Sequence, residues 1–262
     1  MIKCSCEERF SDSVILRRRS RRRISAGILR PLRGLRMTPL LLFLLPAWVF
    51  AGSITGTIKF TGTPPEPEQI SMDADPICAS LHVEPVYAET VVVNDNGTLR
   101  NVFVYVKSGL EERTFSVPGE PAGIDQKGCH YEPHVLGIQT GQELEIRNSD
   151  ATLHNVHSLA QNSKPFNLGM PIQGMKLKKK FENSEIMAKF KCDVHPWMNA
   201  YIGVLDHPHF SVSGSDGAFE ISDLPAGDYV VEAWHEKYGT QEQTVTVTEA
   251  EPVVVEFMFQ AT

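Results

Sequence analysis

The sequence predicts an all-β protein, on three observations. Short segments of alternating or branched apolar residues recur along the chain, Gly, Pro, Asn and Asp punctuate the intervals, and almost no stretch carries a helical period. In chain order, Ser53-Ile-Thr-Gly-Thr-Ile-Lys-Phe60 alternates branched and small residues and stops at Thr61-Gly-Thr-Pro-Pro65. Val91-Val-Val leads through Asn94-Asp-Asn-Gly97 to Val102-Phe-Val-Tyr-Val106, and this pair reads as a hairpin around an Asn-Gly turn. Gly141-Gln-Glu-Leu-Glu-Ile-Arg-Asn148 alternates and ends in polar turn residues, and residues 200–205 read as a closing strand. Beyond them lie strand candidates at 218–222, behind an Asp216-Gly217 turn, and at 224–234, 243–248 and 253–259.

Charge is distributed unevenly along the 262 residues. The first 51 hold 11 of the 25 basic and 3 of the 32 acidic residues, and the apolar run Leu40-Leu-Leu-Phe-Leu-Leu45 follows the basic stretch. This is the pattern of a signal peptide with a long basic n-region, and Val49-Phe50-Ala51 places the cut after Ala51. The apolar stretch 39–51 is too short to span a membrane. Two starts remain open, Met1 and Met37; Ser20-Arg21-Arg22 lies too far from the apolar run to act as a twin-arginine signal. Cleavage leaves 14 basic against 29 acidic residues, a formal charge of −15 in place of −7. That balance excludes nucleic acid as a partner and favours salt-sensitive encounter with basic proteins in the periplasm or outside the cell. Lys176-Leu-Lys-Lys-Lys180 runs against it, either as a guarded edge strand or as a docking patch for an acidic protein.

Two short motifs carry the chemistry. His154-Asn155-Val156-His157 and Cys192-Asp-Val-His-Pro-Trp-Met198 together supply a thiolate, two imidazoles and a thioether. Thiolate and thioether favour Cu(I) and imidazole serves both oxidation states, so a His2Cys core with a weak axial sulfur suits copper better than zinc. The C-x2-H-x2-M spacing brings three donors from one tight loop, stiffened by Pro196, and His154 at a strand end supplies the fourth. His157 reads as an ordinary strand or loop residue.

From Tyr131 to Leu205 the chain resembles the cupredoxin, or blue copper, family, closest to its amicyanin and plastocyanin-like domains. The residues that carry this are the C-x2-H-P-x-M loop, the H-N-V-H context, and the opening Pro133, Leu136, Gly141, Leu144, Ile146 and Asn148. The resemblance implies a Greek-key sandwich holding one type 1 copper, with His154, Cys192 and His195 equatorial and Met198 axial. It also implies that Asn155 ties its strand to the cysteine loop, and that His195 reaches the surface through an electron-exit patch including Pro196 and Trp197. A second run, from Asp216 to His235, is similar to the carboxypeptidase regulatory-like family, a transthyretin-like β-sandwich of the Ig type. Matching pieces at 52–62 and 101–106 precede the copper segment. The expected organisation is therefore a leader at 1–51, a discontinuous sandwich at 52–118 and 208–262, and a cupredoxin at 119–207 inserted in it. The alternative is a C-terminal mini-domain packed beside a cupredoxin that owns the N-terminal strands.

Of five cysteines, Cys4 and Cys6 leave with the leader and Cys192 serves the metal. Cys78 and Cys129 either pair in an oxidising compartment or, with His82, His130 and His134, form a second metal site. Trp234, Tyr229 and Tyr238 read as core rather than a sugar platform, and His207, His209 and His235 as hydrogen-bonding residues. The sequence thus points to an exported type 1 copper protein, not an enzyme, carrying single electrons to or from a cytochrome or dehydrogenase. Its alternatives are a periplasmic copper-binding or delivery protein, and a surface or carbohydrate-binding sandwich on a cupredoxin scaffold. No G-x-S-x-G motif or phosphate-cradling glycine loop is present.

Overall fold

In the computed structural model the residues described are 51–249 and 251–261. The basic leader, its apolar run and both candidate start sites lie outside the described residues. Period-2 burial, as in β16, where every second residue is buried, sorts the chain into sheets. The strands are β1 (Gly52–Thr61), β2 (Phe103–Ser108), β3 (Ala122–Lys127), β4 (His130–Glu132), β5 (Val135–Gln139), β6 (Leu144–Asn148), β7 (His154–Ser158) and β8 (Phe166–Met170). They continue as β9 (Lys176–Lys179), β10 (Glu185–Lys191), β11 (Asn199–Leu205), β12 (Phe210–Val212), β13 (Ala218–Leu224), β14 (Gly227–His235), β15 (Gly239–Val247) and β16 (Val253–Gln260). One short helix, α1 (Pro76–Ser80), interrupts them, and the fold is all-β.

The first sandwich joins a five-stranded sheet, β5-β11-β10-β7-β8, to a four-stranded sheet, β4-β3-β6-β9. Ile124, Ile138, Leu144, Ile146, Phe181, Phe190 and Ile202 fill the space between them. The second joins β13-β1-β16 to β12-β2-β14-β15 around Ile54, Ile58, Val104, Val231 and Phe257. Lysine-rich β9 is a sheet edge whose Lys176 and Lys178 pair with Glu145 and Glu143.

Two features depart from the sequence reading. The Asn-Gly turn forms, with Gly97 at φ 77°, but only one bridge, Val93 to Leu99, follows it. The chain then turns through Asn101 at φ 62°, and β2 pairs with β12 and β14 instead of closing the hairpin. The reason lies in what β2 buries: Val104 and Val106 feed the second sandwich's core, while Phe103 and Tyr105 face a third cluster with Val135, Met187 and Leu205 of the first. A strand buried on both faces belongs inside a sheet. Secondly, the stretch 70–86, counted from sequence with the second sandwich, packs on the first through Met72 and Cys78 with Ile70 and Val86.

Close backbone approach seals the contact between the sandwiches. A Cβ on Gly203 of β11 would stand 2.5 Å from Phe103, and one on Gly137 of β5 would stand 2.3 Å from Phe210. Trp234 packs on Tyr201 at 5.0 Å between ring centres, and His134 meets Glu236 across the boundary at 2.5 Å.

Candidate metal centre

β10 and β11 are antiparallel neighbours paired at Lys191 and Asn199, so residues 192–198 form the loop that closes them. Backbone bonds tighten it. Cys192 donates to the Met198 carbonyl at 3.1 Å, and Met198 donates back to the His195 carbonyl at 2.9 Å. His195 N–H points at Cys192 Sγ, 3.4 Å away. His154 opens β7, the next strand over from β10. His154, Cys192, His195 and Met198 are all 2 % exposed or less, so sheet pairing and loop closure bring the four together inside the first core.

The donor atoms converge. His154 Nδ1 lies 2.9 Å from His195 Nδ1, and Cys192 Sγ lies 3.8 Å from His195 Nδ1. These three side chains form one group of potential metal ligands. Each imidazole hands its other nitrogen to a carboxylate: His154 Nε2 to Asp150 at 2.9 Å, His195 Nε2 to Asp75 at 3.0 Å. The carboxylates fix the tautomers and leave both Nδ1 lone pairs facing each other beside the thiol. Two facing acceptors at that distance need a proton or a cation between them. The donor set, two imidazole nitrogens and a thiol with a buried methionine on the same loop, therefore fits copper.

Asn155 is the tie across the site. Its Oδ1 accepts from Asp193 N–H at 2.6 Å, from Val194 N–H at 3.3 Å and from the Cys192 thiol at 3.3 Å. Its Nδ2 donates to Asn167 and Asp193. His157 faces away from this group, pairing with Asp193 at 2.9 Å.

The electrostatics follow the contacts. Burial opposes ionisation of Cys192, yet hydrogen bonds from His154, Asn155 and His195 bring its thiol down to about 7. Burial likewise opposes charge on His154, but Asp150 and Cys192 lift it to about 9. The His195 contact leads in bringing Asp75 down to about 2. For Asp150, burial works against the charged form, and His154 with the Cys129 and Gly128 amides outweighs it.

Three placements differ from, or complete, the expectations. His195 does not reach the surface: Asp75 caps its Nε2 and Cys78 Sγ lies 3.5 Å from that atom. Pro196 is exposed and Trp197 half-buried, with its indole N–H donating to the Cys129 carbonyl at 3.1 Å, so the patch exists without the imidazole. Cys78 and Cys129 form a disulfide with a Cα separation of 5.7 Å. The second metal site is not assembled, because the disulfide occupies both sulfurs, His82 bonds the Gly128 carbonyl and His134 holds Glu236. His207 accepts from the His209 amide, and His209 Nδ1 meets the Ser222 carbonyl. Tyr229 is buried and bonds the Pro225 carbonyl. Sequence reasoning missed Asp75 and Asp150. The one available signal for the first was Asp75-Pro76, an N-cap followed by proline at the first helical position.

Fold and site together define a two-sandwich β protein with a buried cysteine, two-histidine, methionine donor set. Residues 195–260 match the model of the carboxypeptidase regulatory-like domain. That match begins within the site loop, whereas the second sandwich's own strands resume at β12. Among solved structures, the chain is similar to a purple cupredoxin from Nitrosopumilus maritimus, at 26 % identity and TM-score 0.28, over 32 % of this chain and 98 % of that one. An oxidised amicyanin variant matches at 20 % identity and TM-score 0.30, over 38 % and 97 %. A copper-containing nitrite reductase from Thermus scotoductus matches at 22 % identity and TM-score 0.31, over 38 % of this chain and only 25 % of its own length. No curated protein matches the chain. The carboxypeptidase regulatory-like family, to which residues 216–235 were likened, recurs in the match to residues 195–260.

Proposed function

We propose that this is an exported type 1 copper protein that carries single electrons between redox partners. The observation that carries the reading is the pair of Nδ1 atoms 2.9 Å apart beside a buried thiol, each imidazole backed by a carboxylate. His154, Cys192 and His195 would hold the metal, with Met198 as a weaker thioether donor.

Copper bound there would supply a one-electron couple, and Met198 with the surroundings of the Cys192 sulfur would tune its potential. The chain's own work is positional. Asp150 and Asp75 keep the proton on Nε2 of each histidine, so Nδ1 stays the donor. Asn155 holds the loop behind Cys192, and the backbone bonds between residues 192 and 198 resist rearrangement. Burial among Val156, Met170 and Phe190 keeps water out. No substrate pocket is needed. After loss of the leader the acidic surface suits a basic face on a cytochrome or dehydrogenase, in the periplasm or outside the cell.

The test is the visible and electron paramagnetic resonance spectrum after one equivalent of Cu(II). An intense copper–thiolate band with narrow hyperfine splitting is expected, lost in Cys192→Ser. Met198→Gln should keep the metal and lower the potential. A colourless protein, or an unchanged band in Cys192→Ser, would overturn the reading.

A further inference from the structure

The carboxylates that hold the two histidines come from opposite ends of one disulfide. Asp75 stands three residues before Cys78, and neither of its oxygens is free to drift. Oδ1 caps α1 by accepting from the Ile77 and Cys78 amides at 2.8 and 3.3 Å, while Oδ2 takes His195 Nε2–H at 3.0 Å and the Thr152 hydroxyl at 2.8 Å. On the other side, Gly128 and Cys129 are the two-residue turn between β3 and β4, both at positive φ, 61° and 56°. A turn of that kind needs positive φ at both central positions. It aims both amides at Asp150, at 2.8 Å each, and Asp150 in turn holds His154. The Cys78–Cys129 bond joins the two arms, and Trp197 of the site loop donates to Cys129 from a third side.

We propose that the disulfide, with Asp75 and Asp150, is a single clamp that sets both imidazoles and closes the His195 edge of the site, Asp75 being its positioning residue. The clamp explains why His195 is buried where the sequence alone places it at the surface. It rests on the metal reading for its consequence, but its geometry is independent of any metal.

Two measurements on the full chain separate the clamp from the metal reading. In metal-free protein, carbamidomethylation of Cys192 by iodoacetamide, read at that peptide by mass spectrometry, reports closure of the site. In Cu(II)-loaded protein, titration with EDTA reports affinity. Asp75→Ser keeps a helix cap but is too short to reach His195; Asp75→Asn keeps the cap through Oδ1 but turns an NH2 donor instead of an acceptor toward His195 Nε2–H. The Ser variant is expected to speed Cys192 modification and weaken copper binding roughly 10–100-fold, the usual effect of losing a residue that orients a ligand, and Asn, which keeps the cap but not the acceptor for His195, is expected to weaken copper binding as well. Cys78→Ser with Cys129→Ser should reproduce the Ser variant at Asp75. Wild-type behaviour of Asp75→Ser in both measurements would reduce Asp75 to a helix cap and overturn the clamp. Absence of a copper–thiolate band in the wild type would sink the metal reading alone, with Cys192 modification still deciding the clamp.

Discussion

Asn155 does with one side chain what the cysteine loop's backbone cannot do for itself. Its Oδ1 is the acceptor for two successive amides, Asp193 and Val194, at the point where the chain leaves β10. Asn155→Ala leaves both part-buried amides without that acceptor, and an ordinary intramolecular hydrogen bond contributes about 0.5–1.5 kcal/mol. Urea unfolding of the metal-free protein should show a loss of that size, and an unchanged midpoint would mean that water replaces the amide oxygen. Cys192, His195 and Met198 were legible in the sequence because a seven-residue loop fixes their spacing, and Asn155 because it follows His154 in the H-N-V-H context that carries the resemblance. The aspartates were not. Asp75 precedes His195 by 120 residues, and no local pattern couples them. Asp150, four residues before His154, looks like any other turn residue until the Gly128-Cys129 turn is placed against it.

At the level of elements, the same rule separates what was readable from what was not. Alternation announced β1, β6 and β16 because each buries one face. The run Phe103-Val-Tyr-Val106 announced a strand, and its partner was misread because two faces are buried and the nearby Asn-Gly turn offered a cheaper local pairing. The glycines opposite β2 had no sequence signal at all. Gly203→Ala would drive a methyl to within 2.5 Å of Phe103, whose ring is fully buried, stacked on Tyr105 and tilted against Phe210. Overpacking of this kind costs typically about 1–3 kcal/mol, so chemical unfolding should report that loss. An unperturbed Gly203→Ala variant would show that Phe103 can swing aside. The disulfide works at this scale too. It closes a loop with a sequence separation of 51, which in the chain-entropy model contributes on the order of 4 kcal/mol.

Across the whole molecule, buried neutral histidines make stability depend on acid. Burial holds His235 and His207 down to about 4 each. For His235 the neighbouring Glu236 works against this, while His134 and Lys237 add to it, and its Nδ1 accepts from the Lys237 and Tyr238 amides. A histidine whose folded value lies below the unfolded value of about 6.5 contributes stability that is complete above 6.5 and lost as the pH falls toward 4. His154, raised to about 9, runs the other way, so the wild-type slope alone does not isolate His235. In metal-free protein the thermal midpoint of His235→Asn, whose amide oxygen can accept in place of Nδ1, should fall less between pH 7 and pH 5 than the wild type's. Equal falls would exclude His235 as a source of acid sensitivity. The shared cluster of Phe103, Tyr105, Val135, Met187 and Leu205 has a kinetic consequence. With side chains of one sandwich seated on bare glycine backbone of the other, there is no swivel between them, and the second sandwich acts as a jig for the first. Under the proposed electron-carrying function, a partner that grips only the jig would still find the donor set at one fixed distance and angle, and electron hops in that complex are then expected to decay as a single exponential rather than as a spread of rates.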